Sequence, residues 1–253
     1  MSKYLRFRTG GEIRYGILEG ERVKILKGDP FEDPEMTGSE VSLNAVQILA
    51  PCDPSKIVCV GLNYRDHAAE VGQALPEEPH IFLKPPTAVI GPGEQILLPP
   101  MSARVDYEGE LAVVIKKKAK NVPREEAGEY ILGYTCFNDV TARDLVAKDN
   151  GPLRAKIFDT FAAFGPHIVT DIDPLGLAIK TYLNGEVRQS SNTAHLIFDP
   201  FHLVSFISSV LTLLPGDIIS TGTPSGIGPM KAGDVVEVEI EKIGRLKNLV
   251  AQP

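Results

Sequence analysis

Residues 106 to 115 read DYEGELAVVI. Acidic residues stand at every second position, Asp106, Glu108 and Glu110, and the chain then runs directly into the apolar stretch LAVVI. Successive side chains of a strand point to opposite faces, so a period of two puts the three acids on one face and Tyr107, Gly109 and Leu111 on the other. The segment reads as a β-strand whose acids form a row. On spacing alone, a solvated strand face explains that row as readily as a binding site does. Gly109 leans towards the site, because a glycine inside a strand often marks a bulge or a close backbone approach.

Outward from this strand, the same kind of signal recurs. HIFLKP at 80–85, TYLNGEVRQ at 181–189, DIISTGT at 217–223 and DVVEVEIEKIG at 234–244 all read as strands, and IVCVGLNY at 57–64 suits a buried one. Asn184-Gly185 between alternating segments predicts a type I′ hairpin. Helices are expected at 64–71, 124–132, 141–147 and 201–213. The last has Asp199 and Pro200 at its start and Pro215 beyond its end. Residues 1–50 form a small β-rich leader of short alternating segments, YLRFRT, EIRYGILEG and ERVKILKG. A boundary is expected near Pro51, with a catalytic domain at 51–253. The fold class is mainly β with short helices (α+β).

Composition narrows the functions. The chain has 253 residues, 43% hydrophobic and 23% charged, with a formal net charge of -7. That is an ordinary globular balance. Its only basic run is 116–118, so no electrostatic footprint for nucleic acid is present. The N-terminus has no apolar signal region, and no apolar run approaches the roughly 20 residues that cross a bilayer. A soluble cytoplasmic protein with no membrane partner is expected. Cys52, Cys59 and Cys136 are widely spaced and form no CxxC pair, so they read as buried small side chains. The five histidines show no HExxH spacing, and GxGxxG and GxxxxGK[ST] are both missing. Any metal here must be held by oxygen.

Five features are candidates for chemistry. Crowded carboxylates at 106–110 repel one another in a partly buried site, and a divalent cation relieves that repulsion. Asp139, in FNDVTARD, follows an apolar segment and precedes an expected helix, where capping and metal ligation are both open. Three carboxylates with water or substrate oxygens suit Mg²⁺ or Mn²⁺. In VGLNYRDHAAEVG, His67 and Glu70 are three residues apart on a short helix, so the carboxylate can orient the imidazole to activate water, unless both are simply solvated. Lys156, in RAKIFDTF, is either solvated or placed to stabilise an enolate. The run STGTPSGIGP at 220–229 offers backbone amides for an anion, or is an irregular loop.

The ordered set of these segments, from the His67 helix through FLKPPTAVIG, DYEGEL, GYTCFNDVTARD, KIFDTFAAFGP and YLNGEVRQSSNT to PGDIISTGTPSGIG, resembles the fumarylacetoacetate hydrolase family. The resemblance covers about residues 55 to 250. It implies a mixed β-sandwich or β-roll catalytic domain, a homodimer, and Mg²⁺ or Mn²⁺ held by Glu108, Glu110 and Asp139. It further implies His67 and Glu70 as a water-activating dyad on a lid-like helix, Lys156 facing the substrate, Thr223 holding its carboxylate, and Lys84 and Arg143 as basic positions near it. Asp106 becomes a supporting residue.

The implied activity is metal-dependent enolate chemistry on a small 2-oxo acid, foremost C–C hydrolysis of an acylpyruvate or fumarylpyruvate. Alternatives are 2-hydroxyhepta-2,4-diene-1,7-dioate isomerisation, oxaloacetate tautomerisation or decarboxylation, and a binding protein that holds a 2-oxo acid without turnover. One departure bears on the choice. Family hydrolases commonly carry Gln three residues after the Arg of TARD, and Val146 stands there, unable to supply an amide hydrogen bond.

Overall fold

The computed structural model describes all 253 residues. The strand 109–115 lies deep within a twelve-stranded mixed sheet, between Ile131–Asp139 on one side and Ile218–Ser220 on the other. Beyond Ile218–Ser220 come Ile57–Gly61 and then His80–Lys84 at one edge. In the other direction Ala162–Val169 follows Ile131–Asp139. The leader is not a separate sheet. Lys3–Thr9 pairs with Ala162–Val169, Tyr4 opposite Ile168, and carries Glu12–Glu19, Arg22–Lys27 and Glu35–Ser42 outward as a meander.

A second sheet of five strands packs across this one: Glu186–Asn192, Ala178–Leu183, Val235–Ile240, Gly244–Ala251 and Gln95–Leu97. Leu111, Val113 and Ile115 share a core with Val236, Val238, Ile240 and Leu246 of that sheet. Ala112 and Val114, on the other face of the same strand, pack with Ile57, Cys59, Phe137 and Phe164. Both faces are thus buried, which is why the sequence there is continuously apolar. The two inner faces form a sandwich.

The hairpin at Asn184-Gly185 is present, both residues having positive φ (55° and 82°) as a type I′ turn requires. The helix Pro200–Val210 begins as its sequence predicts, with Pro200 in the first turn and the Asp199 carboxylate accepting from the His202 amide. Two helix expectations are corrected. Residues Arg124–Tyr130 form a 3₁₀ helix, and Ile131 already belongs to the next strand. Thr141–Ala142 pairs as a strand with Val105 and Asp106, so the helix there starts only at Arg143. A further short helix, Leu153–Lys156, had no clear signal.

The opening stretch is also corrected, since it is two strands. Val105–Tyr107 belongs to a three-stranded sheet with Thr141–Ala142 and Gly228–Pro229, and Gly109 starts the large-sheet strand, leaving Glu108 at the junction. Gly109 also lies where the two sheets come together. A Cβ on it would sit 2.1 Å from Thr181 Oγ1, so only glycine lets the two sheets approach this closely.

Candidate active site

Parity puts the acids away from the sandwich core. Leu111 and Val113 point into the inter-sheet layer, so Glu108 and Glu110 point to the opposite face. Register brings in the third carboxylate: Gly109 lies opposite Asn138, and the Asp139 amide donates to the Glu108 carbonyl at 2.8 Å. Glu108, Glu110 and Asp139 are 5%, 1% and 1% exposed, and their carboxylate oxygens come within 4.8 Å of one another. At that separation each like-charged pair costs about 3–4 kcal/mol for an effective dielectric of about 20. So much buried repulsion demands cations.

Three side chains supply them. Lys156 Nζ lies 2.6 Å from both Glu108 Oε2 and Asp139 Oδ2. Arg143 donates to Glu108 Oε1 and, through Nε at 3.0 Å, to Asp106 Oδ2; Arg104 holds the other Asp106 oxygen at 2.8 Å. Asp106 is therefore a buried anchor for Arg143 and stands outside the triad, as the resemblance implied. Lys84 Nζ is 2.6 Å from Asp139 Oδ1 and also donates to the carbonyls of Val140 and Phe161, at 3.0 and 2.5 Å.

Burial works against the Glu108 charge, yet Lys156 and Arg143 outweigh it and hold the group down at about 2. Burial likewise opposes the Lys156 charge, and Asp139, Glu108 and Glu110 overcome it, pushing that ammonium well above its ordinary value. Glu110 is different. Burial, then the charges of Asp139 and Glu108, raise it well above the usual carboxylate range against the pull of Lys156 and the Ser220 hydroxyl. Its Oε2 accepts from Ser220 Oγ (2.5 Å) and the Gly222 amide (2.7 Å). Three converging buried carboxylates, one of them short of a counter-charge, fit a hard divalent cation.

The triad opens into a cavity of about 440 Å³, lined also by His67, Arg143, Lys156 and Thr223. His67 is carried by the helix Arg65–Glu70, which follows the strand Ile57–Gly61. Its Nδ1 lies 2.8 Å from Glu70 Oε2, and the Gly226 amide donates to Glu70 Oε1 at 2.9 Å. Asp66 of the same helix accepts from Ser191 and Ser225, fastening the helix to both flanking segments. Val60, Val71, Phe82 and Val146 supply apolar wall, and Phe82 also places its ring 5.2 Å from Lys156 Nζ. Val146 thus faces the space where the resemblance led one to look for an amide.

Seven of the residues singled out in the sequence line this one cavity: Glu108, Glu110, Asp139, His67, Lys156, Arg143 and Thr223. Glu70 stands behind His67. Lys84 does not line the cavity. It is 1% exposed, locked by two carbonyls and Asp139, so it braces a carboxylate and does not reach a substrate. Thr223 lines the wall with its hydroxyl already committed, donating to the Gly109 carbonyl at 2.9 Å and accepting from Gln189 Nε2 at 2.8 Å. Sequence reading singled out the run at 220–229 and the segment YLNGEVRQ but gave no role to Ser220, Gly222 or Gln189 within them, because their contacts cross more than 30 residues of chain. The three cysteines are buried and unpaired, as expected. No helix is long and apolar enough to cross a membrane.

The chain is similar to known proteins over nearly its whole length. The family described as fumarylacetoacetate (FAA) hydrolase, C-terminal, matches residues 56–251, and a second, Rv2993c-like, N-terminal, matches residues 2–51. The mitochondrial oxaloacetate tautomerase FAHD2B of Homo sapiens is 44% identical over 218 residues, 81% of this chain and 69% of that one. Among solved structures, 2-hydroxyhepta-2,4-diene-1,7-dioate isomerase from Mycobacterium marinum superposes with a TM-score of 0.94 at 42% identity, covering 100% of this chain and 99% of that one. Maleylpyruvate hydrolase from Sphingobium sp. SYK-6, in complex with manganese (II) ion and pyruvate, gives 0.83 at 30% identity, covering 99% of each. With a family match running from the strand before the His67 helix to the last strand of the second sheet, the chain belongs to the fumarylacetoacetate hydrolase family.

Proposed function

We propose that the chain is a divalent-metal-dependent enzyme of small 2-oxo acids, hydrolysing the C–C bond of an acylpyruvate-type substrate. One observation carries the reading: three buried carboxylates converge on the cavity that a carboxylate-oriented histidine also lines. Glu108, Glu110 and Asp139 would hold Mg²⁺ or Mn²⁺, and the ion, when bound, supplies Lewis-acid polarisation of the 2-oxo and carboxylate oxygens. The manganese and pyruvate in the Sphingobium hydrolase support that assignment.

The remaining work belongs to this chain's own groups. Glu70 engages His67 at Nδ1, which leaves Nε2 to take a proton from water. The water oxygen attacks the distal carbonyl, the C–C bond breaks, and its electron pair stays with the 2-oxo fragment. Return of the proton to carbon 3 gives a carboxylic acid and pyruvate. Lys156, held charged beside the triad, favours the negative charge that develops on the departing fragment. The apolar wall keeps competing water away from that charge.

Val146 favours a second reading, in which His67 moves a proton at carbon 3 and no water attacks, as in tautomerisation of oxaloacetate. Its side chain lines the cavity and donates nothing to a substrate oxygen. The human relative's activity supports this reading too. The test is a product assay with Mn²⁺ against acylpyruvates and oxaloacetate. Pyruvate with a carboxylic acid establishes hydrolysis, and keto–enol exchange of oxaloacetate without cleavage replaces it with tautomerisation. No metal-dependent turnover of any enolisable 2-oxo acid would sink both readings.

A further inference from the structure

Along an antiparallel ladder, successive residues direct their N–H and C=O groups to alternate neighbours. Asp139 bonds Glu108 from one side, so the backbone groups of Gly109 face the other. The strand on that side, Ile218–Ser220, ends opposite Ala112, and its backbone makes one last bond beyond, from the Thr221 amide to the Leu111 carbonyl at 3.0 Å, two residues short of Gly109. The segment between the two carboxylates Glu108 and Glu110 therefore has no neighbouring strand.

Two side chains take its place. Gln189 Oε1 accepts from the Gly109 amide at 2.9 Å, and Thr223 Oγ1 donates to the Gly109 carbonyl at 2.9 Å. Gln189 Nε2 then donates to Thr223 Oγ1 and to the Pro224 carbonyl, both at 2.8 Å, closing the ring. Gln189 is fully buried, and it reaches in from the second sheet. The loop it clamps also carries the Gly222 amide that holds Glu110 and the Gly226 amide that holds Glu70.

We infer that Gln189 is a positioning residue: its carboxamide, with Thr223, stands in for a missing strand along Gly109 and fixes the Glu108–Glu110 spacing and the loop that orients Glu70. The inference rests on the proposed role of these carboxylates as metal ligands. It assigns the Thr223 hydroxyl to the backbone of the site and leaves its substrate contact, if one forms, to other atoms of the loop.

The experiment uses Gln189→Met, which keeps volume and removes all three hydrogen bonds. The Mn²⁺ dissociation constant is measured by calorimetry well below the melting temperature of each protein, with amide hydrogen exchange at 109–111 and 220–226. The expected result is Mn²⁺ binding about 10–100-fold weaker than wild type, the usual effect of removing a partner that orients metal ligands, with faster exchange confined to those two segments. If Gln189→Met does not fold, Gln189→Asn, which keeps the amide one methylene short, is expected to shift both readouts the same way by less. A lower melting temperature with unchanged Mn²⁺ affinity would overturn the inference and leave Gln189 as an inter-sheet tie. Failure of the wild type itself to bind Mn²⁺ would overturn the metal reading first, and this inference with it.

Discussion

Two strands of this protein carry the same acidic pattern and have opposite fates. Glu108 and Glu110 alternate at the start of one, and Glu237 and Glu239 alternate along Val235–Ile240 in the other. In the second strand the acids lie on the outer face of the five-stranded sheet, while Val236, Val238 and Ile240 fill the sandwich. Glu237 and Glu239 pair with Arg245 and Lys247 of the neighbouring strand, all four within reach of water. Such pairs are worth little. In the first strand the acids are covered by Phe82, Lys156 and the His67 helix, and a third carboxylate is brought against them. An alternating row of acids thus becomes a site only when another layer closes over it, because burial turns a solvated charge into one that must find a specific partner.

Substitution should separate the strands most sharply in activity. Glu108→Gln or Asp139→Asn is expected to lower turnover by about a thousandfold or more, as loss of several kcal/mol of charge stabilisation implies. Glu237→Gln and Glu239→Gln should leave steady-state rates unchanged. Equal losses in both pairs would erase the distinction. His67→Asn comes next, with a fall of about 10²–10⁴ in the metal-saturated rate.

Stability should divide along the same line. Lys84→Met strands the buried Asp139 carboxylate with one cation fewer, at a cost of about 3–5 kcal/mol, seen as a lower melting temperature. Glu239→Gln should stay within about 0.5 kcal/mol of wild type. Mn²⁺ at about 100 times its dissociation constant should add about 2.7 kcal/mol to the stability of wild type and of Glu237→Gln, and nothing to Glu108→Gln.

A pH-dependent effect belongs to the hairpin end of the surface strand. His167 is buried with Nε2 2.6 Å from the Ile243 carbonyl, and burial lowers it to about 4. The unfolded chain takes up this proton first, near pH 6.5. The contribution is therefore complete above that value and lost as pH falls towards 4, by about 3 kcal/mol in total. His167→Gln, compared with wild type in urea melts from pH 4 to 7, should flatten that part of the profile. An unchanged slope would count against His167 as its source.

Local pattern carried much of the fold. Alternation at 181–189 and 235–240, the Asn184-Gly185 turn and the Asp199–Pro200 helix start each express a preference within a few residues, and each is found in the structure. Where the reading failed, a partner distant in sequence decided. Thr141 and Ala142 extend because Val105 and Asp106 offer them a strand, overriding a helical preference. DYEGEL breaks in two because Val105–Tyr107 pairs with Thr141–Ala142 and Gly228–Pro229, whereas Gly109 onward pairs with Ile131–Asp139. Lys84 looked like a substrate contact, but the strand His80–Lys84 points it behind Asp139, into carbonyls that no local pattern could name.

By itself the sequence determined which residues are candidates for chemistry and which face of each strand they share, since a strand's period is fixed by backbone geometry alone. It could not decide that Glu108 and Glu110 would be buried while Glu237 and Glu239 stay wet, nor that Gln189 would cross from the second sheet to hold Gly109. Those outcomes come from packing between segments tens of residues apart. Only when the sheets close are the charges desolvated, and only then does each carboxylate need the ammonium, guanidinium or amide that the structure brings to it.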